Sequence, residues 1–119
     1  MTADNGKALA LSLAADSLDF VADYFAEKGE VDRLEEVLTA CERIEAQQWL
    51  AALNLLANAE RFFDGRMDVE DGDYGVPRPN QEMRLFQDVR QVRALMSRLI
   101  DGQPPRWEIH NRILSTEAR

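Results

Sequence analysis

Between Gly29 and Gly65 the chain has neither glycine nor proline. These two residues are the strongest local breakers of regular structure, so thirty-five residues without either predict long helix. Inside that run lies AQQWLAALNLLANA, residues 46–59, with no charged side chain at all. A helix that is apolar on nearly every side belongs in the middle of a large core or against another chain. At 119 residues there is room for one compact domain. An interface is therefore expected to cover Trp49, Leu50, Leu53, Leu55 and Leu56, most simply in a homodimer.

The six glycines and four prolines divide the chain into four segments. The first predicts a helix over about 4–28, with Thr2 or Asp4 as N-cap and Gly29 past its end. Its apolar face is wide: Leu9, Leu13, Phe20 and Tyr24 form one line, and Leu11, Leu18, Val21 and Phe25 a second. Asp16, Asp19, Asp23 and Glu27 recur at helical spacing opposite them, as a solvated face or as a dock for a basic partner. The second segment predicts helix from 31 or 32 to 63, about 50 Å long if unbroken. Leu34, Val37, Leu38, Cys41 and Ile44 make its amphipathic stripe. A break near Gln47 and Gln48 is conceivable, but no breaker residue demands it. Residues 64–79, DGRMDVEDGDYGVPRP, read as an acidic loop. Asn80 then caps a third helix over 81–101, flanked by Arg84, Arg90, Arg93 and Arg98 and closed by Gly102. After Pro104 and Pro105, a short last helix is expected to carry Trp107, Ile109, Ile113 and Leu114. The expected fold is all-α: a single helical domain over 1–119, three main helices with a long helical hairpin, and a short C-terminal helix.

Charge is uneven. Residues 1–79 carry 7 basic and 17 acidic side chains, whereas 80–119 carry 7 and 5, for a total of −8. An acidic protein repels a phosphate backbone, so nucleic acid is not an expected partner. No stretch approaches the length of a membrane span. Asp4, Asp16 and Asp19 around the first apolar run argue against a secretory signal. The lone Cys41 cannot form an internal disulfide, and a cytoplasmic location is expected. Twelve of the 14 basic residues are arginine, a leaning expected of a GC-rich bacterial genome.

Catalytic chemistry is not expected. Nucleophilic catalysis needs a nucleophile, a base and a group that orients the base. The only histidine, His110, reads as a surface or boundary residue, and Cys41 as a small core residue on an apolar stripe. Two such residues cannot make a zinc site, and Glu42 and Glu45 lack the histidines of a carboxylate-bridged one. In the acidic loop, placing Gly72 at the glycine position of a calcium loop puts Met67 and Val69 where ligands should be. No cofactor is expected.

What remains is protein binding, which needs only shape and apolar surface. Interfaces favour a few large anchors, and the candidates are Phe20, Tyr24, Trp49, Leu53, Phe62, Phe63 and Trp107. In size, acidity and helix content the chain resembles the small helical antiactivators of LuxR-type quorum-sensing regulators. The likeness is one of architecture along the whole chain and assigns no individual residue. It implies an inhibitor that binds a transcription factor and caps its interaction surface. Anti-CRISPR and immunity-type proteins fit the same description, and an acidic DNA mimic using the carboxylate stripe is the alternative.

Overall fold

The computed structural model describes residues 2–109 and 112–115, with side-chain surroundings for 6–72 and 74–107. In chain order the elements are α1 (Thr2–Lys28), α2 (Val31–Glu45), α3 (Trp49–Leu55), α4 (Ala57–Asp64), β1 (Val69–Asp71), β2 (Pro77–Pro79), α5 (Gln81–Ile100), β3 (Arg106–Ile109) and β4 (Arg112–Ser115). The chain is mostly helical.

Three of the helices end in the same pair of hydrogen bonds. After α1, the amides of Gly29 and Glu30 reach back to Ala26 O and Phe25 O (3.3 and 2.9 Å). After α5, Gly102 and Gln103 bond Leu99 O and Arg98 O (3.3 and 2.8 Å). Both are Schellman closures, with glycine in the left-handed conformation that L-residues resist. After α2 the same closure forms with Gln47 in the glycine's place: its φ is 60°, and Gln47 and Gln48 bond Ile44 O and Arg43 O (3.0 and 2.8 Å). The expected continuous second helix is therefore broken here, so the hairpin it makes with α1 extends only over α2. A second, softer discontinuity falls at Leu56, where the backbone stays helical but loosens to ψ −5°.

The broken segment packs as two arms. Together with α1 and α5 they make four arms instead of three. α2 returns along α1, so that Lys7 near the start of α1 lies 5.4 Å from the Trp49 ring of α3. α3 and α4 then run back up and bring Phe62 and Phe63 to Tyr24 and Phe25 at the far end of α1. α5 descends again, its first turn meeting α1 where Tyr24 Oη donates to Glu82 (2.7 Å). Asn80 caps α5 as its residue type predicts, accepting from the Met83 amide at 2.8 Å. Leu18, Val21, Phe25, Val37, Leu56, Phe63, Val89, Val92, Leu95 and Met96 are fully buried between the arms. Phe25 and Phe63 stack at 5.1 Å, with Tyr24 and Phe62 edge-on to them.

Arginine holds the discontinuity at Leu56 in place. Arg93 of α5 donates through Nε to Leu53 O (3.0 Å), one of the last carbonyls of α3, and through its other arm to Glu60 in the first turn of α4 (2.9 Å). A cation at a helix C-terminus and a carboxylate at a helix N-terminus both complement the helix dipole. The arginines of α5 are thus less a decorated flank than tethers. Arg84 holds Pro79 O and Arg98 holds Pro104 O, while Arg90 lies over the Phe86 ring.

Two segments depart from all-α. The acidic loop contains an antiparallel hairpin, Val69 opposite Pro79, Glu70 opposite Arg78 and Asp71 opposite Pro77. Gly72 N donates to Val76 O at 2.7 Å, and the tip turns through Tyr74 and Gly75, both at positive φ. A Cβ at Gly72 would sit 2.6 Å from Val76 O, so glycine is required there. The bonds Gly72 to Val76 and Asn80 to Asp68 face inward, so by the alternation of an antiparallel pair Pro77 and Pro79 face the outer edge. All residues of 68–78 with described side chains are exposed except Gly72. The hairpin stands off the helices, and the radius of gyration is 14.9 Å, against about 13.5 Å for a compact chain of this length.

The expected C-terminal helix is instead a second hairpin, β3 with β4, Trp107 opposite Leu114 and Ile109 opposite Arg112. Arg106–Ile109 alternates polar and apolar residues, and a short stretch rich in Trp and Ile has little to gain as an isolated helix. Trp107 is buried where β3 meets α1 and α5. His110 lies outside the described residues.

Candidate protein-interaction surface

The uncharged stretch is largely covered by its own chain. Ala52, Leu56 and Ala59 are fully buried, Trp49, Leu53 and Leu55 are half-buried, and of the large residues only Leu50 is mostly exposed, at 60%. Breaking the long helix turns its apolar sides inward against α2 and α5. Of the five large residues expected to need a second copy, the chain's own helices bury Leu56 and half-bury Trp49, Leu53 and Leu55.

The seven expected anchors divide accordingly. Tyr24, Phe63 and Trp107 are core residues and present no surface to a partner. The reason is the same for each: they lie where arms converge, Tyr24 and Phe63 in the aromatic cluster and Trp107 under the last hairpin. Phe62 is half-buried beneath the Arg66 guanidinium, 3.7 Å from its ring centre, and Trp49 sits half-buried under Lys7. Leu53 is half-buried and its carbonyl is taken by Arg93. Phe20 alone is open, at 66%.

Phe20 is not isolated. The expectation that Asp16, Asp23 and Glu27 lie opposite Leu9, Leu13 and Phe20 does not hold: positions 9, 13, 16, 20, 23 and 27 follow one another at spacings of three and four, which places them on one line down α1. Leu9 is 47% exposed, Leu13 is half-buried, and Asp16, Asp23 and Glu27 are exposed. The line runs about 27 Å. α1 is covered on its other sides by α2, α5 and the last hairpin. Among the described residues Asp16, Asp23 and Glu27 form no ion pair. The two lysines of α1 are engaged elsewhere, Lys7 over Trp49 and Lys28 over the Tyr24 ring at 5.5 Å.

Sequence reasoning missed a second exposed apolar group on the β1–β2 hairpin: Val69, Val76 and Tyr74, the last fully solvated at 103%. Its signal was confined to composition, because a segment rich in Gly, Pro and Asp reads as loop whatever its tip presents.

Among the described residues no three His, Cys, Asp or Glu side chains cluster as a metal site would require. Cys41 is half-buried, and burial pushes its thiol pKa up, with Asp19, Glu45 and Glu42 pushing the same way. It stays protonated and a poor nucleophile. An open depression of about 300 Å³ is lined by Asp32, Arg33, Glu35, Glu36, Thr39 and Leu55. Two of its charged groups are paired: Arg33 meets Glu36 at 2.7 Å, and Glu36 also accepts from Asn58 at 2.8 Å. No described helix is long and apolar enough to cross a membrane. Compared with protein-family models, with curated proteins and with solved structures, the chain matches none of them.

Proposed function

We propose that the protein is a cytoplasmic regulatory module that binds another protein and inhibits it by covering an interaction surface, without catalysis of its own. The observation that supports this reading is the outer face of α1, where Phe20 and Leu9 stand open beside carboxylates that form no ion pair among the described residues. A LuxR-type transcription factor is the partner that the chain's resemblance in size, acidity and helix content suggests. A regulator of that kind carries positive charge where it meets DNA, which suits an acidic face. Aromatic anchors of this size contribute about 2 kcal/mol or more when buried at the centre of an interface.

The DNA-mimic alternative draws on the same carboxylates, with Asp19, and differs in its dependence on salt. A mimic's complex weakens steeply with ionic strength throughout, whereas apolar anchoring leaves a salt-resistant remainder. The test is direct. Affinity capture with the full chain is followed by adding the purified protein to the captured regulator on its operator DNA. Release of the regulator from DNA is the expected result, and Phe20→Ser should weaken it. An operator complex unchanged at saturating protein would refute the inhibitory reading.

A further inference from the structure

We infer that the outer face of α1 is built to receive a basic amphipathic helix, with the partner's apolar residues over Leu9, Leu13 and Phe20 and its arginines or lysines over Asp16, Asp23 and Glu27. This rests on the protein-binding reading above and adds the class of element that the partner must present.

The face has a polarity along its length. Its N-terminal half, Leu9 and Leu13, is apolar, and its C-terminal half alternates Asp16, Phe20, Asp23 and Glu27. The C-terminal end of a helix carries a partial negative charge of its own, which adds to those carboxylates. The two lysines of α1 form no ion pair with them among the described residues: Lys7 lies against Trp49 and Lys28 against Tyr24. The occupant is therefore a helix of about five turns whose cations gather toward one end. A second copy of this chain does not fit. Pairing α1 with itself in parallel would bring Asp16, Asp23 and Glu27 against their own kind, and antiparallel pairing would seat Asp23 and Glu27 on Leu13 and Leu9, in a protein of net charge −8.

The experiment uses the isotope-labelled full-length chain and three synthetic helical peptides of about 18 residues, the length that spans the face. One has a leucine stripe with lysines gathered at one end, one has the same stripe with glutamates, and one has the lysines but glutamine in place of leucine. The expected result is that the first peptide shifts backbone amides within residues 9–27. It should bind at least about tenfold more tightly than either of the others. Phe20→Ser should weaken binding about tenfold without changing the helix signal, and the double variant with Leu9→Ser should abolish it. Equal binding of the first and third peptides would mean undirected attraction to a net negative surface, and would overturn the inference. Shifts centred on Tyr74, or no binding by the first peptide, would overturn it too. The functional reading fails separately: a chain that binds the peptide along α1 but cannot release the regulator from DNA refutes the inhibition alone. A regulator released equally well by the Phe20→Ser variant refutes the docking face alone.

Discussion

Replacing Gln47 with glycine is expected to stabilise the protein, although the residue lies inside what the sequence presents as continuous helix. Gln47 has a φ of 60°, and its side chain is exposed. The closure it forms repeats the ones at Gly29 and Gly102, each with φ +70°. Holding a Cβ in this conformation costs roughly 1–2 kcal/mol. Glycine loses more backbone freedom on folding than other residues, which offsets about 0.5–1 kcal/mol of that relief. The expected net gain for Gln47→Gly is about 0.5–1 kcal/mol, or a few degrees in melting temperature for a domain of this size. Urea titration followed by circular dichroism measures it. Gly29→Ala and Gly102→Ala are the matched controls. No atom lies within 4 Å of the Cβ that either substitution would add, so their cost reports backbone conformation alone. Both should lose stability by an amount similar to the gain at position 47. In an unbroken helix glycine would cost about 1 kcal/mol instead. A lower midpoint for Gln47→Gly, with Gly29→Ala also lower, would refute the break between α2 and α3.

Arg93→Met should cost about 1–2 kcal/mol in the same titration, because it strips Leu53 O and Glu60 of their shared donor; a midpoint equal to that of the parent would show that the tether is idle. The Tyr24 hydroxyl is pushed up from 10.0 to about 12 by burial, then by its hydrogen bond to Glu82 and that carboxylate's charge. A folded-state value above the unfolded one means that this contribution is complete below pH 10 and is lost as pH rises toward 12. Stability should fall by up to about 2 kcal/mol over that window, and Tyr24→Phe should flatten the slope. Gly72→Ala should open the β1–β2 hairpin, since its Cβ would meet Val76 O at 2.6 Å. Nuclear Overhauser contacts between Glu70 and Arg78 should disappear while helix content stays constant, and their persistence would contradict the tip geometry.

What the sequence revealed follows from which residues carry a local signal. Asn80, Gly29 and Gly102 occupy positions whose chemistry is local, and the helix ends they mark lie where their residue types place them. The end of α2 uses the same backbone geometry with a glutamine in it, so no residue type announced it. The last hairpin was hidden by its brevity: Trp107 and Ile109 alternate over only four residues, which a helical reading absorbs. Of the seven expected anchors, Phe20 alone lies open. Phe20 and Tyr24 lie on the same apolar line of α1, yet one is exposed and the other is core. Periodicity fixes the side of a helix but not which neighbour reaches that side. Leu9 was visible as apolar for the same reason, and invisible as surface.

The prolines of the standing hairpin bear on how this chain behaves in company. A two-stranded ribbon projecting from a protein ordinarily offers its edges as templates on which other chains can extend the sheet. On the outer edge of β2 both positions that would offer an amide hydrogen are proline, Pro77 and Pro79. On β1, the amide of Val69 is turned back onto its neighbour's carboxylate, Asp68 Oδ1, at 2.7 Å. Only Asp71 retains an outward amide, and it brings a negative charge with it. The ribbon can therefore hold a bare tyrosine in solvent at its tip while giving a stray strand almost nothing to grow on. A protein at high local concentration could keep that projection without seeding fibres.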